Sequence, residues 1–69
     1  MKGYVFVTFC NTDDEIVSTH VVNESKLNQF INDKYALFGV GIAYIHTAVE
    51  TLNGSIGKGT YLAMTKIYH

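Results

Sequence analysis

The side chains that could do chemistry in this chain lie in a glycine-rich segment, an acidic run, scattered histidines and one cysteine. The segment Gly54-Ser55-Ile56-Gly57-Lys58-Gly59-Thr60 has some features of a phosphate loop. That motif needs a glycine, four residues, then Gly-Lys-Ser/Thr opening a helix, so that backbone amides and the helix end surround the phosphates. Leu52 stands where the first glycine belongs, Gly59 stands where the hydroxyl belongs, and β-type sequence follows. The stretch from Leu52 to Gly59 therefore reads as a flexible connection carrying an exposed Lys58, with no nucleotide bound.

Asp13-Asp14-Glu15 supplies carboxylates, but adjacent residues in a tight turn cannot converge on one ion, and no further oxygen ligands follow at calcium spacing. A solvated acidic turn is expected, able to speed encounter with a basic surface. His20, His46 and His69 have no second ligand three or four residues away, although His20 and His46 are expected on neighbouring strands where they could approach. Cys10 has no cationic neighbour in sequence to lower its thiol pKa. No catalytic, metal or cofactor residues are assigned, and the chain is not expected to be an enzyme.

The elements that position these side chains follow from residue type. Residues 3–10 and 16–22 are rich in Val, Ile, Phe, Tyr and Thr, and the Asn and Asp side chains between them favour a turn, giving a β-hairpin. Asn23 or Ser25 can cap a following helix, in which Leu27, Phe30, Ile31 and Tyr35 form one apolar stripe. Gly39 is the expected stop, with Phe38 folding back onto the core. β composition returns from Gly41 to Thr51 and again from Thr60 to Tyr68. The expectation is one α+β domain over residues 1–69: a four-stranded antiparallel sheet, order ββαββ, with one helix packed on one face.

Alternation fails in these strands. Val5, Val7 and Phe9 oppose Tyr4, Phe6 and Cys10; Ala43, Ile45 and Val49 oppose Ile42, Tyr44 and Ala48; Leu62 and Met64 oppose Tyr61 and Ile67. A single helix covers one face, so the second apolar face needs a cover from elsewhere. Composition agrees, with 48% hydrophobic and only 16% charged residues in a chain whose shortness should make its surface polar. Five tyrosines add rigid contact area with polar tips, as at interfaces.

Other classes fit less well. A net charge of −1, with lysine and no arginine, lacks the forked donor suited to phosphates and bases, so nucleic acid is not the expected ligand. A lone cysteine excludes an internal disulfide and suits a reducing cytoplasm. The run from 35 to 49 is the most apolar, but Gly39, Gly41, His46 and Thr47 interrupt it, so no membrane span is expected.

The pattern Lys2-Gly3-Tyr4-Val5-Phe6-Val7-Thr8-Phe9, an acidic turn, a second strand and a helix capped at Asn23-Glu24-Ser25 resembles small phage-encoded accessory proteins, the anti-CRISPR inhibitors above all. The resemblance is one of layout over the whole chain. It implies an inhibitor that covers a functional surface of a larger host defence or nucleic-acid-processing complex in the host cytoplasm. The near-neutral charge departs from the strongly acidic DNA mimics of that group. The function expected is thus a non-catalytic protein–protein interaction module, with Tyr4, Phe6, Tyr44, Lys58 and Tyr61 as partner-binding residues. One alternative is a homodimer that completes its core by self-association, with or without a ligand. Another is a weak binder of single-stranded nucleic acid, stacking bases on the sheet aromatics with Lys2 and Lys66 near the backbone.

Overall fold

The β-branched and aromatic runs form β1 (Tyr4–Cys10) and β2 (Ile16–Asn23), and the return of that composition later in the chain forms β3 (Gly41–Glu50) and β4 (Ile56–Ile67). The computed structural model describes residues 2–38 and 40–67, and only the backbone of 34–38. The strands make a four-stranded antiparallel sheet in the order β2-β1-β3-β4, crossed on one side by α1 (Leu27–Phe38). The expected ββαββ order and fold class are therefore observed. Gly39 and the side chains of Tyr35 and Phe38 lie outside the described residues.

Both hairpins close with one turn design. In the first, the Asn11 amide donates to the Glu15 carbonyl at 2.9 Å and the Asp14 amide to the Asn11 carbonyl at 3.0 Å. In the second, Thr51 donates to the Ser55 carbonyl at 2.8 Å and Gly54 to the Thr51 carbonyl at 3.0 Å. The fourth residue of each turn has positive φ, 84° at Gly54 and 63° at Asp14. Glycine takes that conformation freely, and aspartate is among the few other residues that tolerate it. The Asn11 side chain further holds the first turn, accepting from the amides of Asp13 and Glu15.

Asn23 ends β2 and starts the helical segment. Its Oδ1 accepts from the Ser25 amide at 3.0 Å, capping a short 3₁₀ turn (Glu24–Lys26) that runs into α1. Ile31 is buried, and Leu27 and Phe30 pack against Val5, Val7, Phe9, Val22, Ala43, Ile45 and Ile67. Val7 and Ala43 are wholly inaccessible, which places the core between α1 and the two central strands. His20 shares this side: its ring lies edge-on to Phe30 at 5.1 Å and to Phe9 at 5.7 Å between centroids. His46 pairs with Phe6 on the other face, so the sheet separates the two histidines.

β4 departs most from expectation. The flexible connection expected from Leu52 to Gly59 shrinks to a turn at Thr51–Ser55, and the strand begins at Ile56, placing Lys58 opposite Ala48 within the sheet. The glycines there serve close approach. A Cβ on Gly59 would strike Thr47 Oγ1 and stand 2.8 Å from Val49 Cγ1. The Thr60 amide donates to Thr47 Oγ1 at 2.8 Å in the same place.

Register slips twice along this pair. Ala63 faces Ile45 but Tyr61 faces His46, leaving Leu62 as an extra residue; β4 then places two residues, Gly59 and Thr60, between Tyr61 and Lys58 where β3 places only Thr47 between His46 and Ala48. Each slip is a β-bulge, which bends the strand and resets its alternation. The expected grouping of Tyr61 with Ile67 against Met64 is therefore wrong. Tyr61 and Met64 share the face opposite α1, paired with His46 and Tyr44, and Ile67 enters the core.

Candidate functional site on the sheet face opposite the helix

Residues directly paired across antiparallel strands lie on one face, so the register defines the surface away from α1. From β1 it contains Tyr4, Phe6, Thr8 and Cys10; from β2, Ile16 and Val21; from β3, Ile42, Tyr44 and His46; from β4, Met64, Lys66 and Tyr61. This face is not a flat apolar plane. Thr8 and Cys10 are buried although they lie outside the core cluster, each 6% exposed or less. The neighbouring side chains rise around them and leave an open hollow.

That hollow, of about 430 Å³, is lined by Thr8, Cys10, Asp14, Ile16, Tyr44, His46, Lys58 and Tyr61. Its parts come from all four strands and the first turn. β1 supplies the floor, β3 supplies Tyr44 and His46, and the twice-bulged β4 brings Lys58 and Tyr61 over the same spot. The Tyr61 ring stands edge-on to His46, with centroids 5.5 Å apart. The Tyr44 hydroxyl donates to Asp14 Oδ1 at 3.1 Å, tying the acidic turn to the hollow's rim across 30 residues of sequence.

Electrostatics in the hollow favour neutral groups on the floor. Burial pushes the Cys10 thiol up, Asp14 adds to this, and Lys58 opposes it. Burial holds His46 below its ordinary value of 6.5, and Lys58 adds to the depression. The Asp14 hydrogen bond leads the causes that raise Tyr44 above 10.0. Thr8 Oγ1 and His46 Nδ1 are buried and have no hydrogen-bond partner among the described residues. The rim thus mixes aromatic surface, one cation and one anion, while the floor holds polar atoms that a docking group could satisfy.

Of the residues expected to bind a partner, Tyr44, Lys58 and Tyr61 meet here. Phe6 adjoins them, half-buried between its pair partners Val21 and His46. Tyr4 does not join; it lines a separate hollow at the end of the sheet with Lys2, Glu24, Val49 and Leu62. Sequence reasoning missed Thr8, Cys10, Asp14, Ile16 and His46. Alternation of one strand could have given Thr8 and Cys10, but the others depend on the turn and on bulges that no local motif announces.

The described residues hold no group of three or more His, Cys, Asp or Glu placed to bind a metal. No described helix is long and apolar enough to cross a membrane. No protein family, no curated protein and no solved structure matches this chain.

Proposed function

We propose that the chain is a non-catalytic interaction module that docks a protein partner on the sheet face opposite α1, centred on the hollow between Tyr44, Lys58 and Tyr61. The convergence of these three side chains over buried Thr8 Oγ1 and His46 Nδ1, which find no hydrogen-bond partner among the described residues, carries the reading. Tyr61 and Met64 are 56% and 42% exposed on this face, and Ile16 is 65% exposed at its edge. Rigid aromatic anchors beside such pockets are what interface hot spots are made of. A thiol that burial pushes up is a poorer nucleophile, which suits Cys10 to a recognition floor.

The layout that resembles phage-encoded inhibitors fits the same mode of action, a stoichiometric cover over a larger host assembly. Lys58 and Asp14, a cation and an anion on one rim, suit a protein surface of mixed charge better than a nucleic-acid backbone. The test is a site-resolved crosslink from cell lysate with a photoreactive residue at position 61 or, as control, at exposed position 28 on α1. A product from position 61 that disappears with Lys58→Glu supports the reading. Equal products from both positions contradict it.

A further inference from the structure

The two outer strands differ in how they guard their open edges. β4 carries Lys58 and Lys66 and two bulges, devices that discourage pairing with another chain. β2 reads Ile16-Val17-Ser18-Thr19-His20-Val21-Val22-Asn23, with no charge and no proline, and its only register slip lies at Val17. From Ser18 to Asn23 its pairing with β1 is regular. An uncharged, regular edge is a template for another strand.

Beside that edge lies a groove between β2 and α1, lined by Val22, Lys26, Gln29, Phe30 and Asp33. Lys26, Gln29 or Phe30, and Asp33 follow helical spacing and so form one flank of the helical segment. Lys26 sits at the positive end of α1, where the helix dipole disfavours a cation. Its placement does not serve its own helix.

From these observations we infer that a second copy of this chain pairs with the first through antiparallel β2 edges, making one continuous eight-stranded sheet across a two-fold axis. An axis normal to the sheet keeps both helices on the same side and runs them antiparallel. With the axis beside Gln29 and Phe30, Lys26 of each copy faces Asp33 of the other, so the charge pattern complements itself twice. The faces opposite the helices then merge into one surface with two hollows, which makes binding of a repetitive or symmetric partner bivalent.

The contact is small. Eight residues of edge span about 26 Å, and twelve residues of helix flank span about 18 Å. At a thickness of roughly 10 Å each, they cover on the order of 450 Å² per copy, about 900 Å² in the pair, at the low end of specific interfaces. The dimer is therefore concentration-dependent. This inference uses a different surface from the docking face and stands or falls separately from it.

Sedimentation equilibrium from about 1 µM to about 1 mM, at low salt, tests it. The expected result is a monomer–dimer equilibrium. Lys26→Glu weakens it about tenfold by setting like charges face to face, and the swap Lys26→Glu with Asp33→Lys restores it. Thr19→Lys on β2 shifts the chain to monomer, while Thr60→Lys on β4 leaves the dimer intact, with circular dichroism confirming that each variant folds. A monomer throughout the range, dissociation by Thr60→Lys alone, or no recovery in the charge swap overturns the inference.

Discussion

Gly59→Ala tests the link between the β4 bulges and the hollow they build. The added Cβ meets Thr47 Oγ1 and stands 2.8 Å from Val49 Cγ1, with the Thr47 carbonyl at 3.1 Å. Crowding of this kind costs about 1–3 kcal/mol. Displacing the Thr47 hydroxyl also strains its hydrogen bond from the Thr60 amide, worth about 1 kcal/mol. The stiffer unfolded chain returns roughly 0.4–1 kcal/mol, leaving a net loss of about 2 kcal/mol. A domain of 69 residues has a total stability of roughly 3–10 kcal/mol, so the shift is large on a urea unfolding curve. Thr47→Ala alone costs about 1 kcal/mol through the lost acceptor. In the double variant the new methyl no longer meets a hydroxyl, so the losses fall short of additivity by about 1 kcal/mol. A Gly59→Ala chain as stable as the parent, or strictly additive losses, refutes the close approach and with it the register that brings Lys58 and Tyr61 together.

The remaining predictions concern charge and the core. Tyr44 is raised chiefly by its bond to Asp14, so its favourable contribution is present below pH 10.0 and is lost as pH rises through the folded-state value; Asp14→Asn should return the phenol toward 10.0 in an ultraviolet titration, and an unchanged curve counts against the bond. His46 is held neutral in the fold, while the unfolded chain takes up a proton near 6.5, so stability is full above that value and declines as pH falls below it. Lys58→Met should raise the His46 titration midpoint by NMR, burial still keeping it below 6.5; no change would remove Lys58 from the hollow. Ile45→Ala, a deletion on the buried side of β3, should cost about 2–5 kcal/mol, whereas Phe6→Ser should leave the domain folded and weaken association, as thermal unfolding and crosslinking would show.

The legible parts were those with local causes. The first hairpin, the Asn23 cap, the Leu27-Phe30-Ile31 stripe and the double-sided apolarity of β1 follow from residue type and spacing, and the structure has each of them. β4 departs from its sequence pattern because glycine suggests freedom, whereas Gly59 is required by the proximity of Thr47 and Val49, twelve and ten residues away through a hairpin. Bulges then reversed the alternation that assigned Tyr61 and Met64 to opposite faces. Asp14 and Tyr44 are separated by 30 residues, and only the strand pairing of β1 with β3 brings the turn to the phenol.

The proposed function rests on the face opposite α1. Its most direct test is photocrosslinking from position 61 in living cells of the source or its host, compared with position 28 on the exposed helix side. One discrete protein adduct is expected from position 61, abolished by Lys58→Glu and absent from position 28. An adduct from position 28 alone, or one indifferent to Lys58, would place the function on the other side of the sheet.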